Sequence, residues 1–255
     1  MSEQLILINM TEFEAAVFKA QETLEDRTNI GTQQEKLIHA ALKYFYQPND
    51  CLHEIKIGRY YVDVFSDGMV TEIQTRQFYK FIEKLKHLLS HDVSVKVVHP
   101  LIRKRQVIRV DENGETGKPW KTTKQNPLFD AIPELYSLKD IILNPKLSFS
   151  FPVLDVTEYK YAEREKRGKR MMNIKQRIPS NLADIVDIKQ PEDYHVFLPE
   201  NLPEKFTTED YKKAAKVNKS ISGVALNLLN RVGVIEKTGK SGKFILYQIK
   251  PEIGD

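Results

Sequence analysis

The chain has 255 residues, of which 41% are hydrophobic and 29% are charged. This composition supports a packed core and excludes a globally disordered chain, and no apolar run approaches the roughly 20 residues of a membrane-spanning helix. The net charge of +4 is too small to identify a partner by itself, so the position of the charges matters more than their sum.

The N-terminal part predicts two helices. The first residues carry neither a basic segment nor a small-residue cleavage site, so no signal peptide is expected. Residues 11–26 begin with a capping-box pattern at Thr11 and Glu14, and a second helix follows at about 33–46. Cys51 comes next and is the only cysteine, which excludes an intrachain disulfide and favours a cytoplasmic location.

The middle of the chain alternates strands with a helix. Strands that alternate with helices indicate a mixed α/β sheet. Residues 111–150 contain scattered Gly, Pro and Asn and give no firm assignment. Three β-type segments, an amphipathic helix and two further strands are predicted at about 52–57, 59–66, 69–74, 76–90, 93–99 and 106–110.

The second half begins with a strongly basic segment. Residues 159–177 hold eight Lys or Arg and two Glu, so most of the positive charge is unpaired there, which favours a surface that follows phosphates. The alternative is a solvated helix with Glu–Lys pairs. We predict a core domain at 1–150, a basic connector at 151–203 and a compact tail at 204–255.

The dipeptide Asp67-Gly68 stands between two β-type segments, which is a strong signal for a two-residue type I′ turn. That turn sets the strand register and brings Asp63 directly opposite Glu72. Opposed carboxylates repel, and a divalent cation with a preference for oxygen ligands would remove the repulsion. The alternative is a solvent-facing pair neutralised by Lys56 or Arg59.

Asp63, eight intervening residues and the triplet Glu72-Ile73-Gln74 resemble the PD-(D/E)XK nuclease superfamily. That superfamily carries an Asp, a short gap and an acidic-x-Lys triplet across a hairpin. Glu35 on the second predicted helix matches the acid that often precedes the hairpin, and the following amphipathic helix also matches. The resemblance covers about residues 30–110, and it departs from the usual pattern at Gln74, where Lys is the common residue.

The resemblance implies a restriction-endonuclease-like mixed sheet flanked by helices, and hydrolysis of DNA phosphodiester bonds. The expected cofactor is Mg²⁺, with Mn²⁺ as a substitute, held by Asp63, Glu72 and the main-chain carbonyl of Ile73. Gln74 would position the attacking water, and Glu35 would assist at the metal or its water shell. Glu35 also fits a capping box with Thr32, and both interpretations stay open.

The tail resembles a small C-terminal winged helix, with two helices followed by a strand–turn–strand. This resemblance favours nucleic acid as the partner, with DNA preferred. The alternative is a module for protein interaction or for dimerisation, and a dimerisation module would make the chain a homodimer. The residues expected to contact nucleic acid are Arg76, Arg167, Lys169, Arg170, Lys219, Asn227, Arg231, Lys240 and Lys243.

Three functions follow from the sequence. The favoured one is a Mg²⁺-dependent nuclease that acts on DNA. The second is a catalytically inactive nuclease fold that binds DNA through its winged helix, and the third is a protein-interaction adaptor. Metal binding at Asp63 and Glu72 separates the first from the other two, and salt-dependent DNA affinity separates the first two from the third.

Overall fold

The computed structural model describes residues 3–25, 33–111, 113–164 and 170–251, without the side chains of 3–8, 25, 33–36, 162–164 and 170–175. The α-helices in these ranges are α1 (Glu3–Glu25), α2 (Gln33–Tyr46), α3 (Ile82–Ser90), α4 (Ile132–Ser137), α5 (Thr208–Ala215) and α6 (Lys219–Val232). Short 3₁₀ segments lie at Asp50–Leu52, Phe78–Phe81, Pro127–Ala131 and Pro191–Phe197.

The strands form one large sheet and one small sheet. They are β1 (His53–Ile57), β2 (Tyr60–Ser66), β3 (Met69–Ile73), β4 (Ser94–Val98), β5 (Leu101–Val110), β6 (Trp120–Thr123), β7 (Leu147–Arg164), β8 (Arg170–Ile188), β9 (Ile235–Ser241) and β10 (Phe244–Ile249). The large sheet has the order β1-β2-β3-β4-β7-β5-β6, with β8 paired to β7, and β9 pairs with β10 in the small sheet. Antiparallel β1–β2, β2–β3 and β5–β6 pairs occur beside a parallel β5–β7 pair, which confirms the predicted mixed α/β class.

The first two helices bury their apolar faces against the large sheet. Phe13 of α1 and Ile38 and Leu42 of α2 form one buried cluster with strand residues that include Ile73 and Leu154. Full burial of such a side chain contributes about 1.5–3 kcal/mol relative to an exposed one. The apolar spacing of α2, at residues 38, 42 and 45, is therefore what fixes this helix over the sheet.

The described residues divide into two compact units, each built from separate segments. One unit comprises residues 1–75, 98–125 and 151–186, and the other comprises 76–97, 126–150 and 187–255. The C-terminal tail belongs to the second unit, where its helix α6 contacts α4. This division differs from the predicted boundaries at 150 and 203, because segments distant in the chain combine in each unit.

The structure corrects the predicted basic connector over residues 151–203. The long strands β7 and β8 occupy most of that range and belong to the large sheet. Ion pairs stabilise the charged residues of these strands: Arg177 contacts the buried carboxylate of Glu158, and Arg103 contacts Asp155. Burial alone would raise the pKa of Asp155, but hydrogen bonds from Arg103 and Asn181 and the Arg103 charge lower it overall.

Two predicted helix starts also differ from the structure. Thr11 does not begin α1. The helix starts at Glu3 and runs through Thr11 without interruption. The helix predicted from residue 76 begins as a 3₁₀ turn at Phe78, after Gln77 with a left-handed φ of +61°. The Glu134 carboxylate accepts the N–H groups of Gln77 and Phe78, so a distant residue sets this start.

A separate property concerns membranes. None of the helices in the described ranges is both long enough and apolar enough to cross a bilayer.

Candidate metal centre

The hairpin between β2 and β3 has the predicted turn. Asp67 and Gly68 both have positive φ, at +51° and +76°, as a type I′ turn requires. Ser66 pairs with Met69, and Val64 pairs with Thr71, so the predicted register is confirmed along the paired part of the hairpin. Continuing that register by one residue brings Asp63 opposite Glu72.

Beyond the Val64–Thr71 pair, carboxylates bind the main chain of this hairpin. The N–H of Ile73 donates a 2.8 Å hydrogen bond to Oδ2 of Asp63. The N–H of Asp63 lies 3.4 Å from Oε1 of Glu72, a long hydrogen bond. Each acid therefore contacts the opposite strand at the end of the paired region, and the two acids are held beside each other.

Both acids are sheltered from solvent. Glu72 is 5% exposed, and the Asp63 side chain is 15% exposed. Two carboxylates at opposed positions in such surroundings repel each other more strongly than they would in water. A positive charge placed between them would lower the free energy of the ionised pair.

His39 contacts one of the two acids. Its Nε2 lies 3.2 Å from Oδ2 of Asp63. An Nε2–H group donates to the carboxylate in either the neutral tautomer that carries it or the protonated ring. His39 therefore fixes the orientation of Asp63, and the sequence signal for it was its position one turn after Glu35 on the same helix.

The next turn of α2 makes a second contact with the sheet. Lys43 forms an ion pair with Glu54 of β1. His39 and Lys43 are four residues apart and thus lie on one helix face, and this face meets β1 and β2. Glu35 lies one turn earlier in the same row of α2, and its side chain is outside the described part, as is Thr32. The two interpretations of Glu35 therefore remain predictions.

The main chain of Gln74 is held from both sides. Its N–H donates to the carbonyl of Val98 at 2.8 Å. Its carbonyl accepts a 2.7 Å hydrogen bond from Nδ1 of His99, which is 6% exposed. His99 was not singled out from the sequence, and its only signal is a polar residue directly after the apolar strand β4. These contacts fix the point from which the Gln74 side chain emerges.

A divalent cation at this hairpin would have few protein ligands. Among the described residues, no group of three or more His, Cys, Asp or Glu side chains is arranged to hold a metal ion. Mg²⁺ needs only one or two protein carboxylates, because waters and substrate phosphates complete its shell. An ionised carboxylate has about four acceptor positions, so hydrogen bonds from main-chain N–H groups are compatible with cation binding by the same carboxylate. The chemistry of the donor set fits a hard cation.

The residues expected to contact nucleic acid are distributed over the chain. Arg76 is exposed and belongs to the second compact unit. Arg167 and Lys169 lie outside the described residues, and Arg170 begins β8 with its side chain undescribed. Lys219 and Asn227 are exposed on α6, Lys240 is exposed on β9, and Lys243 is exposed in the turn between β9 and β10.

Arg231 differs from the other members of that set. Its Nε lies 3.2 Å from the carbonyl oxygen of Lys139, and its guanidinium is 3.5 Å from the Asp140 carboxylate. Both side chains of the ion pair are more than half exposed, so the pair contributes little to stability. That Arg231 contacts nucleic acid stays a prediction. Such a contact would compete with the hydrogen bond to Lys139 and the ion pair with Asp140.

Comparison with known proteins gives two matches. The model of a family described as a domain of unknown function (DUF8091) matches residues 36–189, which is more than half of the chain and includes the hairpin acids. A protein of Treponema pallidum (strain Nichols), described as uncharacterized, is 26% identical over 233 residues, covering 87% of this chain and 88% of its own length. No solved structure matches.

Proposed function

The chain belongs to the family described as a domain of unknown function (DUF8091), and we propose that it hydrolyses DNA phosphodiester bonds with a bound metal ion. The opposed, sheltered carboxylates of Asp63 and Glu72 carry this proposal. The element order from α2 through β1, β2 and β3 to α3 and β4 supports a restriction-endonuclease-like fold of the PD-(D/E)XK type.

Each residue of the site has a defined task in this proposal. Asp63, Glu72 and the carbonyl of Ile73 would hold Mg²⁺, with Mn²⁺ as a substitute. The bound ion supplies an activated water and stabilises charge on the phosphate. Gln74 orients the water through its side-chain amide, and His39 keeps Asp63 in position. Glu35 assists at the metal or its water shell.

The C-terminal tail would bind the substrate. The order α5, α6, β9 and β10 is that of a winged helix, and Lys219, Asn227, Lys240 and Lys243 are exposed on it. Cations at such positions reach phosphates and orient the protein on the duplex. We place the activity in the cytoplasm, where the exposed thiol of Cys51 would stay reduced.

The direct test uses the full chain with supercoiled plasmid and linear duplex DNA. We expect cleavage with Mg²⁺ or Mn²⁺ and none with EDTA. Electron paramagnetic resonance with Mn²⁺ should independently detect one bound ion, and Glu72→Gln should weaken its binding. No cleavage together with no Mn²⁺ binding would reject the proposal.

The second candidate is an inactive nuclease fold that binds DNA. Gln74 favours it, because an amide lacks the positive charge that Lys would place beside a hydroxide nucleophile. Mn²⁺ binding and DNA binding without cleavage would support this candidate. An adaptor without either property would match the third function predicted from the sequence.

Replacement of Gln74 tests the mechanism. We expect Gln74→Lys to keep the cleavage rate or to raise it by up to about tenfold, because a fixed charge stabilises the developing oxyanion. Gln74→Leu has a similar size and cannot orient water, so its rate should fall. Both rates are measured at saturating Mg²⁺ on the same duplex. Loss of activity in Gln74→Lys would show that the amide has a task that a positive charge cannot replace.

A further inference from the structure

Strands β5 and β6 form an antiparallel ribbon at one end of the large sheet, and we call residues 101–110 and 117–125 the basic ribbon. It contains seven Lys or Arg and no Asp or Glu. Asp155 and Glu158 of β7 contact two of these cations, Arg103 and Arg105. Three acidic residues lie in the connecting segment 111–116, so the positive charge is concentrated along the two strands and not in the segment that joins them.

The cations of the basic ribbon are accessible. Lys104, Arg105 and Lys121 are exposed, as are the hydroxyl-bearing Thr122 and Thr123. Register places Lys104 opposite Thr123 and Arg105 opposite Thr122, so each face of the ribbon combines a cation with a hydroxyl. Ammonium, guanidinium and hydroxyl groups are the side-chain donors that contact nucleic acid phosphates.

Trp120 gives the basic ribbon a fixed aromatic group. The Arg109 guanidinium lies 4.9 Å from the ring centroid, and the Lys160 ammonium lies 5.8 Å from it. Cation–π attraction at partly exposed sites contributes about 0.5–1 kcal/mol per pair. Because Trp120 is the only tryptophan of the chain, its fluorescence reports on this surface alone.

Lysines on an edge strand have a simpler explanation, which is prevention of edge-to-edge aggregation. That explanation covers Lys121, because β6 is the last strand in the sheet order. It does not cover Lys104, Arg105 and Arg109, which lie on β5 between β6 and β7. Positive charge across both strands, without an acidic residue in either, fits an anionic partner better.

We propose that the basic ribbon binds the phosphate backbone of duplex DNA. This deepens the proposed function and rests on it for the choice of DNA as substrate. The ribbon belongs to the same compact unit as Asp63 and Glu72, so the unit that carries the acids also carries a surface for the substrate. A two-stranded β-ribbon can also enter the major groove of B-form DNA, whereas the major groove of A-form RNA is too deep and narrow.

The test measures binding of the full chain to a labelled 20-base-pair duplex in EDTA, across a salt series. Under these conditions cleavage does not occur. Lys104→Gln/Lys121→Gln should lower the slope of log affinity against log salt by about 1.8, since each lost phosphate contact removes about 0.9. The matched control Lys86→Gln/Lys189→Gln removes the same charge from exposed positions outside both the ribbon and the C-terminal tail, and it should keep the parental slope. Circular dichroism confirms that both variants fold.

Trp120 fluorescence provides the second readout. We expect it to change on addition of duplex DNA to the parent and to the control, with a smaller response to equimolar duplex RNA. An unchanged salt slope in Lys104→Gln/Lys121→Gln, or a larger response to RNA, would overturn the inference. Cleavage by the parent, together with an unchanged salt slope in the ribbon variant, would reject DNA binding by the ribbon and leave the proposed function intact. DNA binding that depends on the ribbon, without metal-dependent cleavage, would reject the proposed nuclease activity and leave the ribbon proposal intact.

Discussion

Asp63→Asn should reduce the metal-dependent cleavage rate by about 1,000-fold, which corresponds to about 4 kcal/mol of transition-state stabilisation. The amide keeps a side-chain oxygen that can accept the N–H of Ile73, and it removes the negative charge that would hold the cation. The fold should therefore persist while metal affinity falls. Initial rates on linear duplex DNA over a Mg²⁺ series separate lost metal affinity from lost rate at saturation.

The control for this experiment lies in the same hairpin. Asp67→Asn removes the same charge at the exposed turn, and Asn is well suited to its positive φ, so cleavage should stay at the parental level. If Asp63→Asn also cleaves at that level, Asp63 is not part of the site. Asp63→Ala is less suitable, because it deprives the part-buried N–H of Ile73 of its acceptor and should cost about 1–3 kcal/mol.

Arg177→Met should lower the free energy of unfolding by about 3 kcal/mol. Two guanidinium nitrogens of Arg177 lie 2.9 and 2.8 Å from Oε1 of Glu158, whose side chain is 3% exposed. Removing one partner of a buried ion pair leaves an uncompensated charge, which typically costs 3–5 kcal/mol. Arg105, at 3.8 Å from the same oxygen, supplies partial compensation, so the lower end of that range is expected. Urea denaturation measures the change.

Two further variants distinguish charge burial from lost packing. Glu158→Gln/Arg177→Met removes both charges and should recover more than half of the stability lost by Arg177→Met. Arg59→Met removes an exposed guanidinium near the Tyr60 ring and should cost less than about 1 kcal/mol. A double variant that is no more stable than Arg177→Met would show that the loss comes from packing around the Arg177 stem.

The local parts of the fold followed from short-range sequence signals. Asp67-Gly68 set the hairpin turn and its register, because few residues other than Gly, Asn and Asp adopt positive φ at low cost. The bounds of α2 matched the prediction, because its apolar spacing is encoded within the helix and Pro48, which cannot continue a helix, comes shortly after its end. Continuing that register by one residue places Asp63 opposite Glu72.

Other parts depend on distant residues and were missed for that reason. The strand β8 begins within the Lys/Arg-rich segment, and the Glu158–Arg177 pair that supports it joins two strands. The start of the 3₁₀ turn Phe78–Phe81, which precedes α3, depends on Glu134. The contact between His99 and the carbonyl of Gln74 joins the ends of two strands, and no spacing rule predicts it.

The discontinuous first unit has a consequence for how the protein folds during synthesis. Its last segment ends at residue 186, and β7 lies between β4 and β5 in the sheet order although both precede it in the chain. At about 5–20 residues per second, a ribosome needs several seconds between releasing β5 and releasing β7. During that interval β4 and β5 lack β7, the strand that separates them, and their apolar surface is exposed. Chaperone dependence and slow refolding, limited by these long-range pairings, are the expected kinetic signature.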